Sequence, residues 1–217
     1  IYWLQLADAD AGESWARMGT ASLPAAVGAP LAFYRRQDVY EEALAYRENV
    51  PSITLDRNYY NTHLATQLNV PLFLWSPVAD QSGATIAMGL SAYSTSDRTV
   101  TLDLVGSGGT YPLPGFTVTS MFESMHSAPI PAGALLEPSL SLRVEAPTSP
   151  ARRLYAFLNW VRLEYDARYL ALEGRLQFNG GPGFGPNNLE VTGFTTSDVS
   201  LFEVTDPRAP VRVARGA

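Results

Sequence analysis

The chain contains no Cys and no Lys, and its two His, His63 and His126, lie far apart among 217 residues. Without a thiol, this segment holds no cysteine nucleophile, thiol redox pair, thiolate zinc site or disulfide framework. All 15 basic residues are Arg. That removes Schiff-base chemistry, the phosphate-loop lysine and a lysine-rich membrane patch. A formal charge of -6 argues against nucleic acid, whose affinity comes mostly from basic groups that release counterions. No apolar run approaches the roughly 20 residues of a membrane-spanning helix, so none is expected. No basic-then-apolar leader opens the chain. It begins instead on the apolar run Ile1, Tyr2, Trp3 and Leu4, which reads as a segment cut from a longer precursor.

What is present is a period of two. With 46% apolar and 17% charged residues, the chain can bury a core. Its 17 Gly and 16 Pro punctuate short alternating runs, the pattern of many strands joined by turns. Strands are expected over Leu31–Tyr40, Val70–Trp75, Ala84–Tyr93, Arg98–Val105, Phe116–Phe122, Leu140–Glu145, Arg153–Tyr165, Arg175–Phe178 and Val199–Val204. The longest places Tyr155, Phe157, Asn159, Val161, Leu163 and Tyr165 on one face. Glu41–Arg47 and Tyr60–Leu68 could each hold a turn or two of helix. Residues 1–198 therefore read as an antiparallel, jelly-roll-like β-sandwich with one or two short helices. Residues 199–217 read as a final strand and a proline-stiffened exit toward a downstream domain.

Each motif that suggests chemistry has a plainer reading. Gly181, Gly183 and Gly185 imitate a dinucleotide loop, but Pro186 and two Asn stand where its helix should begin. Asp8, Asp10 and Glu13 resemble the opening of a calcium loop, yet Glu13 occupies the required glycine position and Gly19 that of the bidentate glutamate. A solvated turn is expected there, and no cofactor, although a structural calcium ion would be compatible with these carboxylates. Neither His has a partner at metal-ligand spacing, so no metal or catalytic residue is assigned. Glu41, Glu42 and Glu48 read as a solvated charged stretch rather than a carboxylate pair. Among the aromatics, Trp3, Trp75 and Trp160 sit in apolar alternating runs and are expected in the core. Tyr59, Tyr60 and Trp15 remain as stacking candidates for sugar rings, which would make the chain a carbohydrate-binding module acting on glycans.

The last sixty residues carry a resemblance. The run from Phe157 to Phe178, FLNWVRLEYDARYLALEGRLQF, and the run from Val191 to Val213, VTGFTTSDVSLFEVTDPRAPVRV, are similar to the segment preceding the catalytic domain in gingipain-type, caspase-like cysteine peptidases. Asn159 and Trp160, Tyr165, Arg168 with Tyr169, Gly174 to Phe178, Gly193 to Ser197, and Thr205, Asp206 and Pro207 with Pro210 carry the match. Asn159 stands where Asp is more usual, so no role of an Asp transfers to it. The early Tyr2, Trp3 and Leu4 also resemble that region.

The resemblance implies a secreted or cell-surface, noncatalytic prodomain or accessory domain. Its partner would be a caspase-like peptidase domain downstream in the same precursor, docked on, folded by or masked by this one. Asp206 and Pro207 would stiffen the exit. Arg152, Arg153 and Arg215 would be processing sites, because such peptidases cut after basic residues.

Overall fold

The structure, a computed structural model, describes residues 19–22, 29–41, 45–46, 59–60, 62–64, 67–79, 83–93, 97–118, 123–137, 139–146, 155–178, 189–196, 199–204 and 210–214. They form the strands β1 (Gly19–Ser22), β2 (Tyr34–Tyr40), β3 (Ala45–Tyr46), β4 (Tyr59–Tyr60), β5 (Thr62–Leu64), β6 (Gln67–Leu72) and β7 (Thr85–Tyr93). These are followed by β8 (Arg98–Gly106), β9 (Gly109–Val118), β10 (Glu123–Pro129), β11 (Leu140–Glu145), β12 (Tyr155–Ala167), β13 (Leu201–Glu203) and β14 (Val211–Ala214). Two compact units emerge, one of Ala32–Leu170 with Gln177–Gly181, the other of Ile1–Leu31, Ala171–Leu176 and Pro182–Ala217.

The larger unit is a rolled hairpin. β8 pairs β9, β7 pairs β10, β6 pairs β11 and β5 pairs β12, all antiparallel and nested one inside the next. Two further pairings, β7 with β12 and β8 with β11, close these into the sheets β10-β7-β12-β2, with β5 beside β12, and β6-β11-β8-β9. That connectivity is the jelly roll, and the fold is an all-β antiparallel sandwich as its periodicity predicts. β3 and β4 make a separate two-stranded ribbon.

The core follows from alternation. Ile86, Met88 and Leu90 on β7, Leu158, Val161 and Leu163 on β12, Val100, Leu102 and Leu104 on β8, and Leu142 and Val144 on β11 are all buried. Each such side chain stabilises the fold by about 1.5–3 kcal/mol relative to exposure.

Three expectations need correction. β12 does not keep one face throughout, because its register with β7 shifts between Leu158 and Trp160, making Asn159 a bulge. Leu158 thus faces inward opposite Leu90, whereas Phe157 and Trp160 lie on the other face with Ser91 and Gly89. Trp160 is therefore half-buried outside the core, and Trp75 is half-buried too.

The described parts of Glu41–Arg47 and Tyr60–Leu68 are strands, not helical turns, since pairing such as Thr62 against Leu158 overrides local propensity. Among the described residues the helical turn is a 3-10 turn at Ala134–Leu136, entered through Gly133 at φ 86°. Residues 175–178 form no strand. Glu173 and Gly174, both at positive φ, turn the chain so that Leu172 and Arg175 make a single bridge.

In the larger unit, β10 and most of β9 were missed, and both are edges. β9 and β10 carry Pro112, Pro114 and Pro129, and edge β6 carries Pro71, all positions where a missing N–H is tolerated and further pairing discouraged. Pro114 and Gly115 oppose Thr101 alone, a second bulge.

In the smaller unit β14 lies between β1, which it pairs in parallel, and β13, which it pairs antiparallel. Residues 211–214, expected within an exit strap, are thus a sheet strand. Leu201, Phe202 and Val204 are exposed there.

Candidate functional site

Where β6 leaves its sheet, the chain opens a cleft of about 600 Å³ lined by Pro71, Phe73, Leu74, Leu135, Leu136 and Arg168, among others. Two apolar side chains at this cleft stand in water. Phe73 is 77% exposed and Leu136 54%. Large apolar groups exposed on the lining of one cleft are a mark of interaction surfaces.

The Phe73 wall is fixed by hydrogen bonds. The Tyr40 hydroxyl donates to the Phe73 carbonyl at 2.7 Å and accepts from the Phe73 N–H at 2.9 Å, replacing the ladder partners lost at the end of β6. Burial, then the nearby Asp38 charge, pushes the Tyr40 phenol up to about 12. Two residues further on, the Trp75 N–H donates to the Tyr165 hydroxyl at 2.8 Å, and its indole N–H donates to the Leu170 carbonyl at 3.0 Å. The Val78 N–H then donates to Asp166 and the Arg168 N–H to Ser76. Between these anchors Ser76 adopts φ 45°, which costs a non-glycine residue about 1 kcal/mol and persists because both sides are pinned.

Tyr165 in turn donates to Asp38 Oδ2 at 2.7 Å, and Arg36 grips the same carboxylate while lying 4.9 Å from the centre of the Trp75 ring. Burial, reinforced by the Asp38 hydrogen bond, holds the Tyr165 phenol well above its ordinary range. Burial alone would lower the Arg36 guanidinium. The hydrogen bonds to Asp38 and Tyr34 outweigh it, so Arg36 stays charged.

The Leu136 wall is latched by Glu137. Its carboxylate accepts from Tyr111 Oη at 2.7 Å, from the Gly108 N–H at 2.8 Å and from Ser107 Oγ at 2.9 Å. Those donors hold the carboxyl below its ordinary value, Tyr111 contributing most. A Cβ at Gly108 would meet Glu137 Oε1 at 2.6 Å, so a larger residue there would displace the carboxylate from its present position. Arg168 is different. It is exposed, and no carboxylate among the described residues pairs with it.

The outward face of the five-stranded sheet mixes charged pairs with apolar groups, Phe157 buried and Met125 72% exposed. Arg35 pairs with Asp166 and Arg162 with Glu164, while Asn159 Nδ2 donates to Glu123 at 2.9 Å. The indole of Trp160 lies across Gly89, where a Cβ would meet Nε1 at 2.6 Å. At the sandwich edge His126 stacks on Phe116 at 4.4 Å and its Nε2 lies 2.9 Å from the Pro114 carbonyl, tying β9 to β10.

The sequence-derived candidates fall elsewhere. Tyr59 and Tyr60 form β4, paired with Tyr46 and Ala45. Trp15, Asp206 and Pro207, Arg152, Arg153 and Arg215, and the carboxylates Asp8, Asp10 and Glu13, lie outside the described residues. Phe73, Leu136 and Glu137 were not singled out by the sequence, and Arg168 was named only within the family resemblance. The available signal was Phe73 itself, at the odd position of an alternating run next to Pro71. Among the described residues no group of three or more His, Asp or Glu could hold a metal, and no helix is long and apolar enough to cross a membrane.

No protein-family model matches the chain, and no curated protein does. Among solved structures, that of dimeric latent PorU from Porphyromonas gingivalis matches with a TM-score of 0.58 and 12% identity, over 91% of this chain and 19% of that chain. The likeness is one of fold. This chain thus spans about a fifth of the length of the protein it matches.

Proposed function

We propose that the chain is a noncatalytic accessory β-domain of a larger secreted or surface-displayed protein of the gingipain-like kind. It docks on a caspase-like domain downstream, helping it fold or masking its active site. The observation that carries this reading is the apolar cleft, whose walls are fixed by hydrogen bonds that leave Phe73 and Leu136 in water. Exposed apolar anchors on a pinned backbone are what a docking surface needs, since the chain that carries them is not reordered on binding. A likeness of fold to about a fifth of a dimeric, latent protein supports the same reading. The role needs no cofactor. Cleavage after Arg215 would release the domain, whereas a cut after Arg152 or Arg153 would fall between β11 and β12, inside its own chain.

The gene on both sides supplies the first test, with a leader upstream and a domain bearing a catalytic His and Cys downstream as the expected neighbours. The purified chain is then titrated against that catalytic domain expressed separately, with a substrate cleaved after Arg. A falling rate or a rising refolding yield supports docking. No change in either overturns it.

A carbohydrate-binding role is favoured by one observation, the half-buried Trp160 indole on the outward sheet face beside Glu123 and Arg162. A glycan array, with Trp160→Ala and Tyr60→Ala as controls, separates the two readings. An accessory domain binds nothing there.

A further inference from the structure

The cleft between Phe73 and Leu136 has a definite charge character. Its carboxylate, Glu137, is consumed by Tyr111, Gly108 and Ser107, which already supply three donors to its two oxygens. The remaining charge in the lining is the exposed Arg168 guanidinium. The backbone of Arg168 is fixed, because its N–H donates to Ser76 and the neighbouring Ala167 bridges Pro77. The surface thus offers two exposed apolar anchors and one unspent planar cation with five donors.

We infer that this cleft binds a polypeptide segment that inserts apolar side chains between Phe73 and Leu136 and pairs a carboxylate with Arg168. The inference rests on the docking reading above and names the surface and the chemistry of its partner. An anionic membrane fits poorly, since one Arg cannot offset the repulsion of a chain carrying -6 and no Lys. A small apolar ligand would leave the protruding Phe73 ring unused, because enclosed pockets surround their ligands whereas this one projects its anchors outward. An apolar segment with a carboxylate meets each feature of the cleft. Phe73 and Leu136 gain cover, and Arg168 gains a charge-assisted, two-pronged hydrogen bond.

The test is a selection of phage-displayed peptides on the intact chain, followed by fluorescence anisotropy with labelled synthetic copies of the selected peptides. Enriched sequences should combine apolar residues with an Asp or Glu. Their affinity should fall about tenfold or more on Phe73→Ala and on Arg168→Glu, as truncation of an interface anchor does. Met125→Ala, on the outward face of the five-stranded sheet, should leave it unchanged. A peptide whose Glu is replaced by Lys should recover affinity for Arg168→Glu, which a merely misfolded variant could not produce.

Leu136→Asp serves as a second variant, with urea unfolding to show that each protein is folded. No enrichment over an unrelated control protein overturns the inference, and so do selected peptides that bind Phe73→Ala as tightly as the parent. Peptide binding that obeys these variants alongside a failed titration of the catalytic domain would retain the cleft and remove the accessory role alone.

Discussion

Leu163 and Phe73 are both large apolar side chains of the same sandwich, yet the first has no accessible surface and the second is 77% exposed. Around Leu163 the environment is shaped by burial. It sits opposite Ile86 of β7, in a strand whose register alternates core and solvent residues. Around Phe73 it is shaped by hydrogen bonding to the backbone. Tyr40 satisfies both polar groups of Phe73, Tyr165 that of Trp75, and Asp38 with Arg36 holds Tyr165 in turn. Leaving Phe73 outside forgoes about 1.5–3 kcal/mol of burial. The interior spends apolar surface on stability, and the cleft keeps it available for a partner.

The largest effect should come from the interior. Leu163→Ala should lower unfolding free energy by about 2–5 kcal/mol in urea titration, because a packed core relaxes only partly around a cavity. A loss below about 1 kcal/mol would erase the contrast between the two regions. Next, Tyr165→Phe should cost about 1–3 kcal/mol, since it removes the donor to Asp38 and strands the Trp75 N–H. Trp75 emission should shift in the folded state as its wall loosens.

The third effect is alkaline. A phenol whose folded pKa lies above its unfolded one adds stability that is complete below the unfolded value and disappears as pH climbs to the folded value. For Tyr40 that window runs from 10.0 to about 12, so stability should decline across it, and less in Tyr40→Phe.

The fourth is acidic and smaller. Glu137 is held below 4.5, so its latch contributes above that pH and is lost as pH falls through the lower folded value. Acid titration of Glu137→Gln should lack that component. Smallest of all, Phe73→Ala should change stability by no more than about 0.5 kcal/mol, as for other exposed sites. A larger loss would show that Phe73 serves the fold, and the comparison with Leu163 would fail.

Much of the sandwich was legible from alternation. β7, β8 and β11 stand within a residue or so of where Ala84–Tyr93, Arg98–Val105 and Leu140–Glu145 were expected, because each has a clear inward set. Of β9 only the end from Phe116 fell within an expected strand, while its start and β10 were hidden by Pro112, Pro114, Gly115 and Pro129, breakers in an isolated chain but permitted at an edge. The bulge at Asn159 could not be read, because nothing in a period of two marks the residue that the partner strand skips.

The cleft was the least legible part. Phe73 continues the pattern of β6, and only the three-dimensional course of residues 73–78 along the end of β12 turns it outward. Leu136 lies in a segment whose Pro and Gly read simply as a loop, and Glu137 reaches its donors 26 to 30 positions back in the sequence.

The central claim is that the Phe73–Leu136 cleft docks on the protein's own neighbouring domain. Hydrogen–deuterium exchange compares it directly in the isolated chain and in the full-length precursor. The account predicts slower exchange in the precursor at residues 71–77 and 134–140, with the outward strands β10 and β2 unchanged. Equal exchange at the cleft in both forms, or protection confined to the outward sheet face, would contradict it.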